Sequence, residues 1–93
     1  MSENARCMQI RAALTAAFSP TTLTVEDQSA QHRGHAGAAT GKGHFAVSLV
    51  AEAFRGKTQV ARHRAIYTAL ASLLETDIHA LSIEALSPDE YKS

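Results

Sequence analysis

Hydrophobic residues at helical spacing define the first segment of the chain. The spacing predicts a helix over residues 5–18, which Ser19-Pro20 ends because the residue before a proline avoids the α region. Its apolar stripe consists of Cys7, Ile10, Leu14, Ala17 and Phe18.

A second helical pattern follows Gly56. Thr58 suits its N-cap, and the helix is predicted to run to about Glu75. The predicted apolar face contains Val60, Ile66, Tyr67, Leu70, Leu73 and Leu74. The opposite face contains Gln59, Arg62, Thr68 and Ser72, so Arg62 is predicted to face solvent.

Alternation of apolar and polar residues predicts three strands, over residues 22–28, 44–51 and 78–86. The inward face of the third strand is predicted to contain His79, Leu81, Ile83 and Ala85. Between the first two strands, residues 29–43 contain four of the five glycines and no large apolar residue. This composition predicts a mobile loop.

The predicted order is helix, strand, strand, helix, strand and a short final helix. The last begins at Ser87-Pro88-Asp89-Glu90, a capping-box pattern with proline at the first helical position. The first two strands suit an antiparallel hairpin, and a helical crossover leads to the third. This order favours a single α+β domain over residues 1–93, with a three-stranded mixed sheet and helices on one face.

The overall composition is that of an ordinary globular protein, with 45% hydrophobic residues, 19% charged residues and zero formal net charge. No apolar run approaches the ~18 residues of a membrane span, and no secretory leader is expected at the start. The single cysteine, Cys7, is predicted to be a buried hydrophobe, and its use suits a reducing cytoplasm.

Histidines are the candidate metal ligands of this chain. His32 and His35 lie in the glycine-rich loop, His44 follows them, and His79 begins the third strand. Without a C-x-x-C, a thiolate pair or an HExxH motif, the chain cannot build a closed thiolate site by itself. A metal site would combine two imidazoles with ligands from a partner. The alternatives are a core-edge role for His79 and solvated loop positions for His32 and His35.

Basic residues gather around the second long helix, at Lys57, Arg62, His63 and Arg64. They could contact phosphate at the helix N-terminus, where Gly56 lets the backbone approach a ligand. The alternative is capping and surface ion pairing. No spacing indicates a nucleophile with its base or a pair of acid–base carboxylates, so an enzyme is not expected.

Six short motifs follow one another along the chain. They are Asp27-x-Ser29 with a following histidine, His44-Phe45, Phe54-x-Gly56, Arg62-His63-Arg64 with Ile66-Tyr67 and Leu70, the Ile78–Ile83 segment IHALSI, and Pro88-x-Glu90. Together they resemble the BolA family over nearly the whole chain. The departures are Gln28 for a common Glu, Ala51 for a frequent Ser and Tyr91 for a frequent Trp, and none removes a candidate ligand.

The resemblance implies an αββαβ domain similar to the class II KH fold, with a short C-terminal helix. It also implies a monothiol glutaredoxin partner and a bridging [2Fe–2S] cluster that is present only in the complex. The strand histidine of the family maps onto His79. The loop ligand maps onto His32 when counted from Asp27-x-Ser29 and onto His35 when counted from His44-Phe45, and we favour His35. The glutaredoxin cysteine and a glutathione thiol would complete the ligands.

The first hypothesis is therefore a cytoplasmic, bacterial adaptor in iron–sulfur cluster trafficking or iron regulation, a monomer or weak homodimer when alone. Some bacterial members of the family are described as DNA-binding transcriptional regulators of stress response and morphology. The alternative hypothesis is such a regulator, binding DNA through the turn and helix that contain Lys57, Arg62, His63 and Arg64.

Overall fold

The computed structural model describes residues 5–29 and 42–92. Within these ranges the predicted order of elements is confirmed. The elements are helix α1 (Ala5–Phe18), strands β1 (Thr22–Asp27) and β2 (Gly43–Val50), a 3-10 turn at Glu52–Phe54, helices α2 (Gln59–Ala69) and α3 (Ala71–Thr76), strand β3 (Ile78–Leu86) and helix α4 (Pro88–Lys92). None of the described helices is long and apolar enough to cross a membrane.

The three strands form one mixed sheet in the order β1-β2-β3. β1 pairs with β2 antiparallel, and β3 pairs with β2 parallel, as a hairpin followed by a helical crossover requires. Opposite residues form apolar rows across the sheet. One row joins Leu23, Leu49 and Ala85, and the next joins Val25, Val47 and Ile83.

These rows belong to the core face of the sheet, which α1, α2 and α3 cover. The core between these helices and the sheet consists of the buried residues Cys7, Ile10, Leu14, Phe45, Val47, Leu49, Ala51, Phe54, Ile66, Leu70, Ile78 and Ala85. The predicted stripe of α1 is confirmed except at Ala17, which is exposed. The helices α1, α2 and α3 therefore lie on one face of the sheet, and no helix among residues 5–29 and 42–92 covers the other face, which is called the open side below.

The second long helix is interrupted, contrary to prediction. Thr58 caps α2 as expected, its hydroxyl accepting a hydrogen bond from the Ala61 N–H at 3.1 Å. The helix ends at Leu70, whose φ and ψ of −104° and 14° are not helical, and α3 begins one residue later. Leu70 is fully buried, so the interruption lies within the core.

The face that α2 turns to the sheet also differs from the prediction. Arg62, Ile66 and Leu70 are buried at i, i+4 and i+8, whereas Val60 and Tyr67 are 61% and 42% exposed. The expectation that Arg62 faces solvent is wrong, because its side chain is 2% exposed. An apolar pattern cannot reveal a buried arginine whose partners come from other elements.

Candidate functional site

The Asp27-x-Ser29 motif joins the end of β1 to the start of β2. The Ser29 N–H donates to Asp27 Oδ1 at 2.9 Å, and the Ser29 hydroxyl accepts from the His44 N–H at 3.1 Å. The Gln28 N–H donates to the His44 carbonyl at 2.7 Å. The backbone of His44 is thus held on both sides where the chain re-enters the sheet.

Gly43 is required for this close approach. A Cβ at this position would lie 2.5 Å from the Ser29 hydroxyl and 2.8 Å from the Phe45 ring, closer than side chains approach one another. The Gly43 N–H also donates to the carbonyl of Asp77 at 2.9 Å. Gly43 therefore lies between the Ser29–His44 hydrogen bond on one side and the turn before β3 on the other.

A bulge at the start of β3 decides where His79 lies. Gly43 pairs with Ile78 and His44 pairs with Ala80, so His79 is an extra residue without an opposite partner on β2. The bulge reverses the alternation, and Ile78 enters the core while His79 is exposed. The predicted inward orientation of His79 is wrong for this reason.

The bulge brings His79 next to His44. The centroids of the two imidazole rings are 5.2 Å apart, with the ring planes tilted by 50°. His44 alternates with the core residue Phe45 and therefore belongs to the open side of the sheet. His44 was mentioned among the candidate histidines but was not one of the predicted ligands, although its alternation with Phe45 was a signal that could have singled it out.

The two predicted loop ligands, His32 and His35, fall outside the described residues. Within residues 5–29 and 42–92, no group of three or more histidine, cysteine or acidic side chains is arranged to hold a metal ion. The described part of the site is an imidazole pair. Such a pair requires ligands from elsewhere if it is to hold a metal.

The arginine of the RHR motif, Arg62, is a structural centre at the opposite end of β3. Its Nε donates to the Lys57 carbonyl at 2.9 Å, and its Nη1 donates to the Ala85 carbonyl at 2.9 Å. Nη1 and Nη2 also donate to the two carboxylate oxygens of Glu90, at 2.6 and 3.1 Å. The guanidinium thus joins the turn before α2, the edge of β3 and helix α4.

These contacts shift the protonation equilibria of the pair. The hydrogen bonds from Arg62, and then the one from the Ser87 N–H, lower the pKa of Glu90 from 4.5 to about 2. The hydrogen bond to Glu90 raises the pKa of Arg62. The Ser87 N–H also donates to Glu90 at 3.0 Å, which is the glutamate half of the predicted capping box, and the Ser87 hydroxyl donates to Asp89 Oδ1 at 2.7 Å.

The remaining basic residues of the predicted nucleic-acid surface are more accessible. Lys57 and Arg64 are exposed, and His63 is half-buried. Lys57 precedes the N-cap of α2, and His63 and Arg64 lie in the first two turns of the helix, where Val60 is also exposed. Of the four residues in that prediction, Arg62 is the one that is already enclosed by internal partners.

Comparison with known proteins decides the family. The model of the BolA-like protein family matches residues 14–90. This chain belongs to the BolA family. Both the predicted family and the predicted α+β fold are thereby confirmed, because this BolA chain also superposes on solved BolA structures. The BolA domain of SufE1 from Arabidopsis thaliana superposes with a TM-score of 0.85 at 43% sequence identity, covering 96% of this chain and 99% of that domain.

Two curated relatives indicate the breadth of the family. SufE-like protein 1, chloroplastic/mitochondrial, of Arabidopsis thaliana is 47% identical over 90 residues, or 91% of this BolA chain and 24% of the relative. The chain therefore corresponds to about a quarter of that protein. The DNA-binding transcriptional regulator BolA of Escherichia coli (strain K12) is 39% identical over 84 residues, or 90% of this chain and 77% of the relative.

Proposed function

We propose that this BolA protein is a non-enzymatic cytoplasmic adaptor. It partners a monothiol glutaredoxin and shares a bridging [2Fe–2S] cluster with it, in iron–sulfur cluster trafficking or iron regulation. The observation that carries the proposal is the exposed imidazole of His79, which a bulge holds outside the strand register beside His44.

The ligands would come from both proteins. His79 would hold the cluster together with His35 or His32, and His44 adds a neighbouring imidazole on the same side. When bound, the cluster supplies iron ions that accept nitrogen and thiolate ligands together. Because the described residues offer an imidazole pair and no larger ligand group, the partner's cysteine and glutathione are the expected source of the rest.

Cluster reconstitution tests the proposal. The purified protein is mixed with a monothiol glutaredoxin, glutathione, iron and sulfide, and the visible absorption and circular dichroism of the complex are recorded. His79→Ala is expected to change the spectrum and shorten the lifetime of the cluster. His63→Ala, which removes an imidazole from α2 instead, is the matched control and is expected to behave like the parent.

Two further variants separate the loop ligands. His35→Ala and His32→Ala are compared in the same assay, and we expect the larger loss with His35→Ala. If the His79→Ala complex has the same spectrum and cluster lifetime as the parent complex, His79 is not a cluster ligand. A parent protein that never forms a cluster with a glutaredoxin would remove the proposed function itself.

DNA binding is the second candidate function. Two observations favour it: the similarity to a relative named as a DNA-binding transcriptional regulator, and the exposed cations Lys57 and Arg64 at the start of α2. In this alternative Lys57, His63 and Arg64 contact phosphates, while Arg62 supports the helix from within.

A salt titration of binding to duplex DNA distinguishes this alternative. Each phosphate contact adds about 0.9 to the slope of log affinity against log salt concentration. Arg64→Ala is expected to reduce the slope by about one such contact, whereas Arg11→Ala, the same charge change on α1, leaves it unchanged. A slope that is flat for the parent would reject DNA binding.

A further inference from the structure

Strand β1 is an edge strand, since the sheet described for residues 5–29 and 42–92 has the order β1-β2-β3. The Gln28 N–H, directly after β1, donates to the His44 carbonyl, so the even-numbered residues of β1 bond to β2. The backbone groups of Leu23 and Val25 therefore point away from the sheet. The Leu23 carbonyl shows this direction, because it accepts a hydrogen bond from Arg11 Nη1 on α1 at 3.3 Å.

The two edges of the sheet differ in how they are protected. The β3 edge begins with the bulge at His79, and its Ala85 carbonyl accepts hydrogen bonds from Gln59 and Arg62 on α2. Strand β1, Thr22–Asp27, contains no proline or lysine, and its register with β2 has no bulge. Proteins use these devices to keep an edge from pairing with another chain, so β1 is the edge that is open to such pairing.

Val25 is the centre of the open edge. Within residues 5–29 and 42–92, no hydrogen bond reaches the outward N–H and C=O of Val25, whereas Arg11 occupies the Leu23 carbonyl. Leu23 and Val25 are also only half-buried, although both side chains pack against the core. A strand laid against this edge would satisfy the Val25 backbone and cover both side chains.

Strand β1 is complementary to a second copy of itself. In an antiparallel pair centred on Val25, the two Val25 residues exchange both of their outward hydrogen bonds. Thr24 then lies opposite Glu26 of the second copy. Leu23 lies opposite Asp27 of the second copy. A register centred on Thr24 instead pairs Val25 with Leu23, whose carbonyl is already occupied, so only the register centred on Val25 has all of its central groups free.

The charges also match in this register. Arg11 lies against the edge at Leu23, so it faces Asp27 of the second copy, and the two-fold axis repeats this contact of opposite charges. Glu26 lies opposite the neutral Thr24, whose hydroxyl can donate to the carboxylate. No like charges lie directly opposite one another, so the register adds no direct repulsion.

We propose that this protein forms a two-fold homodimer in which the β1 edges pair antiparallel about Val25. The pairing joins two three-stranded sheets into one sheet of six strands. The axis is perpendicular to the sheet, so both copies keep their helices on the same side. The strand contact is about 20 Å long and one strand wide, which is smaller than the roughly 1,200 Å² of a standard interface, so the dimer is weak.

The dimer is independent of the proposed function and compatible with it. His44 lies three positions beyond the axis, on the strand next to β1. With strands about 4.8 Å apart and about 3.3 Å per residue, the two His44 positions are roughly 25 Å apart on the open side. One metal ion cannot contact both, so each copy keeps its own imidazole pair.

Variants at Thr24 test the register without touching the core. Thr24 is exposed on the open side. Thr24→Lys adds an opposite-charge pair with Glu26 on each side of the axis and should tighten the dimer. Thr24→Glu places like charges opposite one another and should weaken it, each variant by about twofold to thirtyfold in dissociation constant. Ser82→Lys makes the same change from a neutral residue to lysine at an exposed position of β3, and it should dimerise like the parent.

Two measurements on the purified protein follow the dimer. Sedimentation velocity over about 20 µM to 2 mM gives the dissociation constant of the parent and of each variant. Hydrogen exchange locates the contact: the Val25 N–H points outward and should exchange more slowly as the protein concentration rises. The Thr24 N–H bonds to β2 and should change little. The exchange measurement needs no variant, so it decides the case even where a substitution disturbs folding.

Each outcome bears on the inference. A parent that stays monomeric at the highest concentration overturns it. If a dimer forms but both Thr24 variants have the parent's dissociation constant and Val25 exchange does not slow, the dimer uses another surface and the β1 assignment is overturned. Because these assays contain neither glutaredoxin nor DNA, their failure leaves both candidate functions standing, and a failed cluster reconstitution leaves the dimer standing.

Discussion

Arg62 and Glu90 form a two-pronged ion pair that joins α2 to α4, with nitrogen–oxygen distances of 2.6 and 3.1 Å. The guanidinium is buried over the ring of Phe54, 5.9 Å from its centroid, whereas the carboxylate reaches the surface. Arg62, which was predicted to be a surface cation, thus joins three parts of the chain: the turn before α2, strand β3 and helix α4.

Replacing Arg62 by methionine is expected to destabilise the protein. The Lys57 carbonyl loses the guanidinium donor, the Ala85 carbonyl keeps only the weaker bond from Gln59 Nε2 at 3.4 Å, and an unsatisfied buried polar group costs about 1–3 kcal/mol. We therefore expect the free energy of unfolding in urea to fall by about 2–3 kcal/mol. Arg64→Met, on the exposed side of the same helix, is the control and should change it by less than about 0.5 kcal/mol. Equal effects of the two variants would contradict the structural role of Arg62.

Because the pKa of Glu90 is lowered in the folded protein, we expect the protein to lose stability in acid. Its pKa is lowered in the folded protein from 4.5 to about 2, so the unfolded chain takes up the proton first as the pH falls. The stabilisation is present above the unfolded value and is lost between these two values, because stability rises with pH where the unfolded state binds more protons. Melting temperatures of the parent and Glu90→Gln should differ at neutral pH and converge toward pH 2. A difference that stays constant over this range would exclude Glu90 as the source.

Gly43→Ala should disturb the histidine pair as well as stability. The added methyl group meets the Ser29 hydroxyl and the Phe45 ring, and overpacking of this kind costs about 1–3 kcal/mol. We expect a lower melting temperature together with shifted NMR signals of the His44 and His79 rings. Gly56→Ala is the control. Its added Cβ meets nothing within 4 Å, but its φ of +78° costs about 1–2 kcal/mol for a residue with a side chain. It should lower stability and leave both histidine signals in place.

The thiol of Cys7 should react only when α1 leaves the core. Cys7 is 4% exposed in the core cluster, whereas its neighbour Met8 is 56% exposed. A thiol reagent is expected to modify the native protein slowly and the urea-unfolded protein at once, because reactivity requires access to the thiolate. In the double variant C7A/M8C the new thiol should react quickly without denaturant. Rapid native-state modification of Cys7 would show that α1 opens readily.

Most of the fold could be predicted from the sequence, because hydrophobic periodicity and helix-ending residues such as proline act over a few neighbouring positions. The alternation of Phe45, Val47 and Leu49 and the proline after Ser19 are sufficient to place β2 and to end α1. The capping box at Ser87 likewise needs four consecutive residues. The break at Leu70 was missed, since the apolar helical pattern continues through it to Leu73 and Leu74.

The site was harder to predict because its geometry depends on distant residues. His79 was identified, but its orientation was wrong, since one extra residue against Gly43 and His44 reverses every side chain before the bulge. Arg62 was misplaced because its partners Ala85 and Glu90 are 23 and 28 residues away. Whether His32 or His35 completes the site stays a prediction.

The hydrogen bonds of Ser29 at the ends of β1 and β2 have a consequence for the length of the segment between these strands. Asp27, Ser29 and Gly43 fix the two ends of the intervening segment side by side, and strand pairing begins directly after them. Doubling the length of a segment closed in this way costs only about 0.6 kcal/mol. The register of β1 and β2 is therefore set by contacts at residues 27–29 and 43–45, and we expect it to be independent of the length of chain between positions 30 and 41.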